Sequence, residues 1–83
     1  MRLDKFLKGS RILKRRTVAA EACRAGKVTV NGRDAKPAHT LKVGDEVELF
    51  FAAGSLKFRV LELKESVKKE DAAKMYEILG DGQ

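Results

Sequence analysis

The sequence predicts a small α+β domain in which two short N-terminal helices pack on a mostly antiparallel sheet, followed by a C-terminal helix. Three observations support this fold class. The chain has 83 residues, which suits one compact core rather than several domains. Its apolar residues recur at helical spacing before Gly26 and alternate with polar residues after it. An Asn-Gly pair, the strongest short signal for a β-hairpin, follows the first alternating stretch.

The N-terminal quarter of the chain predicts two helices joined by a tight link. Apolar residues at helical spacing place the first helix in residues 1–9, where Asp4 can pair with Lys8 one turn later. The second helix is expected over about 15–25, because Gly26 suits a left-handed helix cap. Its apolar stripe includes the only cysteine, which we expect to be a core thiol rather than a reactive one.

Alternating residues then predict four strands and three turns, at Asn31-Gly32, at 41–45 and at 52–55. Asn31 and Gly32 form the first turn, and a change of phase at Leu61 predicts a bulge in the last strand. The strands are expected over residues 28–30, 33–36, 46–51 and 56–64.

A final helix is predicted over about 67–79, with Ser66 as its cap and Gly80 as its stop. The apolar residues Ala72, Met75, Tyr76 and Leu79 would form one face of it. This prediction divides the chain into a domain with an extended sheet, residues 1–64, and a C-terminal helix and tail, residues 65–83.

Charge is distributed very unevenly along the chain. The net charge is +6, but residues 1–42 contain twelve Lys or Arg residues against three acidic ones, and the remainder contains six against nine. Positive charges that are concentrated in one part of the chain repel one another, and a polyanionic partner relieves this repulsion. Nucleic acid is therefore the expected partner class. An anionic membrane is disfavoured, because no basic amphipathic helix with bulky apolar residues is evident.

A basic cluster, Lys14, Arg15 and Arg16, lies at the predicted start of the second helix. The helix dipole makes a basic side chain there unfavourable by about 0.3–1 kcal/mol. A bound RNA phosphate would make the arrangement favourable, because the helix N-terminus and the basic side chains would then face an anion together. The alternative is that these side chains simply point into solvent. The basic half has no aromatic platform for single-stranded bases, so folded RNA is expected to be bound by phosphate and shape. Other basic residues that could extend the cluster are Arg2, Lys5, Arg11 and Lys27.

Several short motifs also occur in a fixed order over about residues 1–50. They are Arg2-Leu3-Asp4-Lys5-Phe6-Leu7, Ser10-Arg11, Arg16-Thr17, Gly26-Lys27-Val28-Thr29-Val30-Asn31-Gly32 and Val43-Gly44-Asp45. In these motifs the chain resembles the αL RNA-binding family, the ribosomal-protein-S4-type domain. Its first eight residues, its Lys-Arg-Arg-Thr cluster and its segment 68–79 are similar to the RqcP family of small bacterial ribosome-associated quality-control factors. That family is related to a ribosome-recycling heat-shock protein.

The resemblance implies a specific role. Such proteins bind the large ribosomal subunit that keeps a peptidyl-tRNA after a stalled ribosome splits, and support C-terminal alanine tailing with an RqcH-type tailing factor. Carried over by position, the N-terminal arginines would contact an exposed rRNA helix, and Asp4 would orient one of them. Lys27 and Asn31 would lie nearer the tRNA. A monomer is expected.

Other function classes have less support in the sequence. Catalysis is disfavoured because the candidates are one His39 in a loop and one buried-looking Cys23, and no Cys and His spacing suits a metal or a cofactor. A cytoplasmic location is expected, since neither an apolar signal segment nor a membrane-length apolar run is present. Two alternatives remain: a general structured-RNA-binding or ribosome-assembly protein, and a protein-interaction module that uses its C-terminal helix.

Overall fold

A five-stranded antiparallel sheet carries helices on one face in a computed structural model, which describes residues 1–64 and 67–82. The strand order is β2-β1-β3-β4-β5, and each neighbouring pair is antiparallel. The elements in chain order are α1 (Leu3–Gly9), α2 (Arg16–Arg24), β1 (Val28–Val30), β2 (Arg33–Asp34), β3 (Glu46–Phe51), β4 (Gly54–Val60), α3 (Lys69–Ala72), a 3₁₀ turn (Ala73–Met75) and β5 (Tyr76–Gly82). The predicted α+β class, with two packed N-terminal helices on an antiparallel sheet, is confirmed.

The core lies between the N-terminal helices and the inner face of the sheet. Alternate residues of β3 and β4, such as Val47 and Phe58, are fully buried, as the period of two requires. From α1, Phe6 stacks on Phe58 with ring centroids 6.1 Å apart. From α2, the small residues Ala19 and Cys23 complete the cluster, so the helices can approach closely. The thiol is buried, which confirms that Cys23 is a core residue.

The β1–β2 hairpin turns at Asn31 and Gly32, as predicted. Their φ angles are +53° and +84°, which are the left-handed values that a two-residue type I′ turn requires at both positions. The turn pairs Val30 with Arg33 across the hairpin. Its twist matches that of the flanking strands, so this connection follows from local sequence alone.

Loop 37–41 holds the start of α1. Among the described residues no side chain caps this helix. Instead, the Leu3 N–H donates to the His39 carbonyl at 2.8 Å and the Asp4 N–H donates to the Pro37 carbonyl at 3.1 Å. Two of the helix's first N–H groups, which lack partners within the helix, are thereby satisfied by main-chain oxygens. The position of Arg2 is fixed relative to the loop as a result.

The predicted C-terminal helix over 67–79 is wrong after residue 75. Four residues of α3 and one 3₁₀ turn lead into β5, which pairs antiparallel with β4 and places Val60 opposite Tyr76. The apolar spacing that suggested a helix also fits a helical turn followed by a strand rich in aromatic and branched residues. Pairing with β5 gives the backbone N–H and C=O groups at the outer edge of β4 hydrogen-bond partners. The free energy gained from this long-range pairing outweighs the local helix propensity of residues 76–79.

Three further predictions need correction, and two are untested. The strand predicted over 33–36 ends at Asp34. The strand predicted over 56–64 ends at Val60, and the register shift lies between Lys57 and Phe58 rather than at Leu61. There the β5 residue Leu79 is the extra one, since Gly80 faces Lys57 and Ile78 faces Phe58. The predicted cap Ser66 lies outside the described residues, and the division of the chain at residue 64 into two parts stays a prediction.

The observed C-terminal structure predicts that truncating Met75 and truncating Leu79 lower the free energy of unfolding by different amounts. Both residues were first assigned to one face of a helix. Met75 is fully buried, whereas Leu79 is 36% exposed at the bulge. Met75→Ala should lower the free energy of unfolding by about 2–5 kcal/mol, because it leaves a cavity in the core. Leu79→Ala should cost much less. Urea unfolding of both variants measures the difference, and equal losses would support the helix instead.

Candidate nucleic-acid interface

A buried carboxylate, Asp4, joins the starts of the two N-terminal helices. Its side chain is 4% exposed. Arg2 donates to it through Nε and Nη2, each 3.1 Å from a different carboxylate oxygen, and Arg16 Nε lies 3.5 Å from Oδ2. Arg2 precedes α1 and Arg16 opens α2, so this Arg2–Asp4–Arg16 cluster ties the helices together. The Asp4–Lys8 pair expected from spacing is not formed within the described residues.

The charge of Asp4 is maintained by its partners. Burial by itself raises the pKa of this carboxyl, but the hydrogen bond from Arg2 and the positive charges of Arg16 and Arg2 outweigh it, so the pKa lies below its ordinary value. The ionised carboxylate neutralises only one of two guanidinium charges. Both arginine side chains are about half exposed, so a phosphate can approach them.

The start of α2 leaves unsatisfied donors beside the same cluster. Arg15 is the N-cap in an extended conformation, and its carbonyl accepts the Ala19 N–H at 3.1 Å. Within the described residues, the N–H groups of residues 16–18 have no acceptor and no side chain caps them. These donors, the helix dipole and the Arg16 guanidinium all lie at one end of one helix. An anion there would be stabilised by all three.

Arg11 occupies a backbone position that favours glycine. It follows the last residues of α1 with φ +64°, and its N–H donates to the Lys8 carbonyl at 3.0 Å. A left-handed residue at this point is the usual helix stop, and glycine is preferred there because it has no Cβ. An arginine costs about 1–2 kcal/mol in such a conformation. Folding alone therefore does not account for this side chain, which is exposed beside the helices.

Within the described residues, several basic residues of the N-terminal helices and their link have no acidic partner, in contrast to most basic residues of β3–β5 and the turn before β5. In the described part of the chain, no ion pair involves Lys8, Arg11, Lys14 or Arg15. On the sheet and after it, each of four basic residues lies within 3.6 Å of a carboxylate oxygen: Lys57, Arg59, Lys64 and Lys74. The positive field of the helices is thus left for a partner to neutralise.

Two of the predicted contact residues lie apart from this cluster. Lys27 precedes β1, and its carbonyl accepts the Phe50 N–H at 2.8 Å while its side chain is exposed. The Asn31 amide donates to Asp45 at 3.1 Å and accepts the Glu46 N–H at 3.0 Å. Asn31 therefore fastens the hairpin to β3, which is a structural role that the sequence reasoning missed. Direct RNA contacts by all of the predicted residues, those of the cluster included, stay predictions.

The described residues contain little that suits other chemistry. Burial, together with the nearby charge of Asp4, raises the pKa of Cys23 to about 11, so its thiol is protonated at neutral pH. Among residues 1–64 and 67–82, no group of three His, Cys, Asp or Glu side chains could hold a metal ion. In the same ranges, no helix has the length and apolarity needed to cross a membrane.

The geometry of Asp4 predicts a pH-dependent contribution to stability. Because its pKa is lowered in the folded state, the stabilisation is present above the unfolded value near 3.8 and is lost as pH falls through the folded pKa. Asp4→Asn should therefore lower the free energy of unfolding at pH 7, and its difference from the wild type should shrink in acid. Urea unfolding across pH measures this. Asp71→Asn, at a surface pair with Lys74, is the control and should change little.

The conformation of Arg11 predicts opposite effects on stability and binding. Arg11→Gly relieves the strain of a positive φ and should raise the midpoint of thermal unfolding. It also removes an exposed guanidinium, so affinity for structured RNA should fall. Calorimetry and fluorescence anisotropy measure the two effects. Lys8→Gly, in the last turn of α1, is the contrast and should lower the unfolding midpoint. An Arg11→Gly variant that binds RNA as tightly as the wild type would remove this residue from the interface.

Comparison with known proteins agrees with this arrangement. The S4 domain family model matches residues 1–47. The RQC P-site tRNA stabilizing factor of Streptococcus pneumoniae is 57% identical over 81 residues, which cover 98% of this chain and 92% of that protein. The Bacillus subtilis protein of the same name is 49% identical over 79 residues, covering 95% and 92%.

A solved structure of a heat-shock protein is also similar to this chain. Heat Shock Protein 15 of Vibrio cholerae, described as trimeric, superposes with a TM-score of 0.88 at 26% identity, covering 94% of this chain and 80% of that one. The fold likeness includes the C-terminal region that the S4 model does not reach. On these matches, the chain belongs to the S4-domain family and, within it, to the RQC P-site tRNA stabilizing factors.

Proposed function

We propose that this protein is a non-catalytic RNA-binding factor of ribosome-associated quality control that docks on the large ribosomal subunit through its N-terminal helices. The observation that carries the proposal is the Arg2–Asp4–Arg16 cluster. It holds two half-exposed guanidinium groups in a fixed relation at the starts of two helices. Fixed forks of this kind recognise phosphates with little further ordering.

Phosphate and shape, rather than base sequence, would be recognised by this surface. The two helices expose no aromatic side chain, because the aromatic ring of α1, Phe6, is buried in the core and α2 has none. A double-stranded RNA segment offers regularly spaced phosphates, which match cations held by rigid helices. Ribosomal RNA helices have this character. The names of the relatives add the second RNA, a P-site tRNA.

The finer assignments follow from the family resemblance. In the proposed complex Arg2, Arg11, Arg15 and Arg16 face the rRNA helix, and Asp4 orients an arginine of that cluster. Lys5 and Lys14 are proposed on charge alone to belong to the same surface. Lys27 and Asn31 lie nearer the peptidyl-tRNA. The factor acts as a monomer in the cytoplasm and supports alanine tailing by an RqcH-type tailing factor. Its role would be to hold the tRNA while the nascent chain is extended.

The alternative of a protein-interaction module loses its structural basis. That hypothesis relied on a C-terminal helix with Met75, Tyr76 and Leu79 free to dock a partner. Met75 is instead fully buried, and Tyr76 contacts Phe58 edge to face with ring centroids 5.6 Å apart. A general structured-RNA-binding or ribosome-assembly role remains the second candidate, because the same cluster would serve it.

Arg16→Ala tests the docking surface. The variant removes one guanidinium from the cluster and leaves Asp4 paired with Arg2, so the fold should persist. Binding to purified large subunits should weaken by about 1–3 kcal/mol. Co-sedimentation measures this, and the wild type should pellet with large subunits in preference to small subunits or intact ribosomes.

Lys69→Ala is the matched control. Lys69 is exposed at the start of α3, and its removal takes away the same formal charge outside the proposed surface. Binding should be nearly unchanged. Equal losses for Arg16→Ala and Lys69→Ala would show that only general charge matters. Equal pelleting of the wild type with both subunits would favour the general RNA-binding role.

A further inference from the structure

We propose that the RNA-binding surface continues from Arg2 into a cavity beside the β1–β2 hairpin, where Arg33 and Lys42 bind a second backbone phosphate of the same RNA. This inference rests on the proposed function. It extends the contact area beyond the N-terminal helices and assigns roles to two residues outside the predicted interface.

The cavity is continuous with the first cluster through the backbone. Arg2 and Thr40 form an antiparallel backbone pair, and the Leu3 N–H donates to the His39 carbonyl at 2.8 Å. Both His39 and Thr40 line the cavity. A strand of RNA that leaves the guanidinium of Arg2 therefore crosses one short loop before it reaches the cavity.

The size and the donors of the cavity suit a phosphate. Its volume is about 610 Å³, which leaves room for a phosphate group together with bound water. Arg33 comes from β2, and Lys42 follows the loop that holds α1. Both side chains are exposed, and in the described part of the chain neither forms an ion pair. The Thr40 hydroxyl adds a neutral donor.

One of the two acidic residues of the lining, Asp45, already accepts hydrogen bonds through both carboxylate oxygens. Asp45 Oδ1 accepts from the Asn31 amide at 3.1 Å, and Asp45 Oδ2 accepts from the Lys42 N–H at 2.9 Å. Each oxygen of this carboxylate is therefore already engaged by a fixed donor. Asp34 Oδ2 lies 3.7 Å from the position that a Cβ on Gly26 would occupy, towards a second cavity near the end of α2. Arg33 and Lys42 thus share the lining with the exposed carboxylate of Asp34, but within the described residues neither forms an ion pair with it.

The salt dependence of RNA affinity distinguishes a direct phosphate contact by Arg33 and Lys42 from a general contribution of their positive charge. For the intact protein and a fluorescent RNA stem-loop, log affinity falls linearly with log salt, and each phosphate contact contributes a slope of about 0.7–0.9. Removing both cations, as Arg33→Ala/Lys42→Ala, should weaken binding at moderate salt and reduce the slope by roughly 0.7 to 0.9, the value for one phosphate contact. The Lys42 main-chain N–H, which holds Asp45, is kept in this variant.

Lys68→Ala/Lys69→Ala is the control, because it removes the same formal charge from exposed positions at α3. Its slope should equal that of the wild type. Thermal unfolding checks the fold of each variant, and Arg33→Gln/Lys42→Gln, which keeps side-chain length, replaces the alanine pair if that pair melts early.

The outcomes distinguish this inference from the function on which it rests. A wild type whose RNA binding is absent or indifferent to salt overturns the proposed function itself. Wild-type binding that Arg16→Ala weakens, with an unchanged slope for the Arg33 and Lys42 double variant, overturns the second site alone. Equal changes of slope in the double variant and the lysine control also overturn it.

Discussion

The ionised side chain of Asp4, buried between two arginines, is the interaction on which the rest of the interface depends. A carboxylate taken out of water is costly unless it is paired and hydrogen-bonded, and Arg2 and Arg16 supply both. In return, Asp4 fixes the two guanidinium groups and joins the start of α1 to the start of α2. Without it, two like charges would face each other at a helix packing contact, and their side chains would have no common geometry.

Two features of the N-terminal half carry a local cost for folding that the binding of an anion would partly offset, although Arg16 also pairs with Asp4. The start of α2 carries Arg15 and Arg16 where the helix dipole favours acids. Arg11 adopts a conformation that suits glycine. Neither feature improves the core, which is completed by Phe6, Phe58 and their neighbours. A polyanion that neutralised these charges would recover part of the free energy that the isolated protein gives up.

The one-sided sheet explains how such a small chain holds these features in place. Helices cover its inner face, and charges in mutual contact cover part of the outer face, where Glu46 contacts both Lys57 and Arg59. Loop 37–41 then ties the start of α1 to the region beside the hairpin through main-chain hydrogen bonds. Main-chain hydrogen bonds therefore connect the Arg2–Asp4–Arg16 cluster to the cavity beside the β1–β2 hairpin.

The sequence by itself determined what depends on neighbouring residues. Period and turn chemistry were enough for the two helices, for the Asn31-Gly32 hairpin and for the segregation of positive charge, because each is local or compositional. Tertiary structure decided the rest. Residues 76–79 became a strand because the edge of β4, far away in the chain, offered backbone partners. Asp4 pairs with Arg2 and Arg16 rather than with Lys8, because packing α1 against α2 buries the carboxylate. A buried charge is costly unless it is paired and hydrogen-bonded, and this cost determines which residues pair with Asp4.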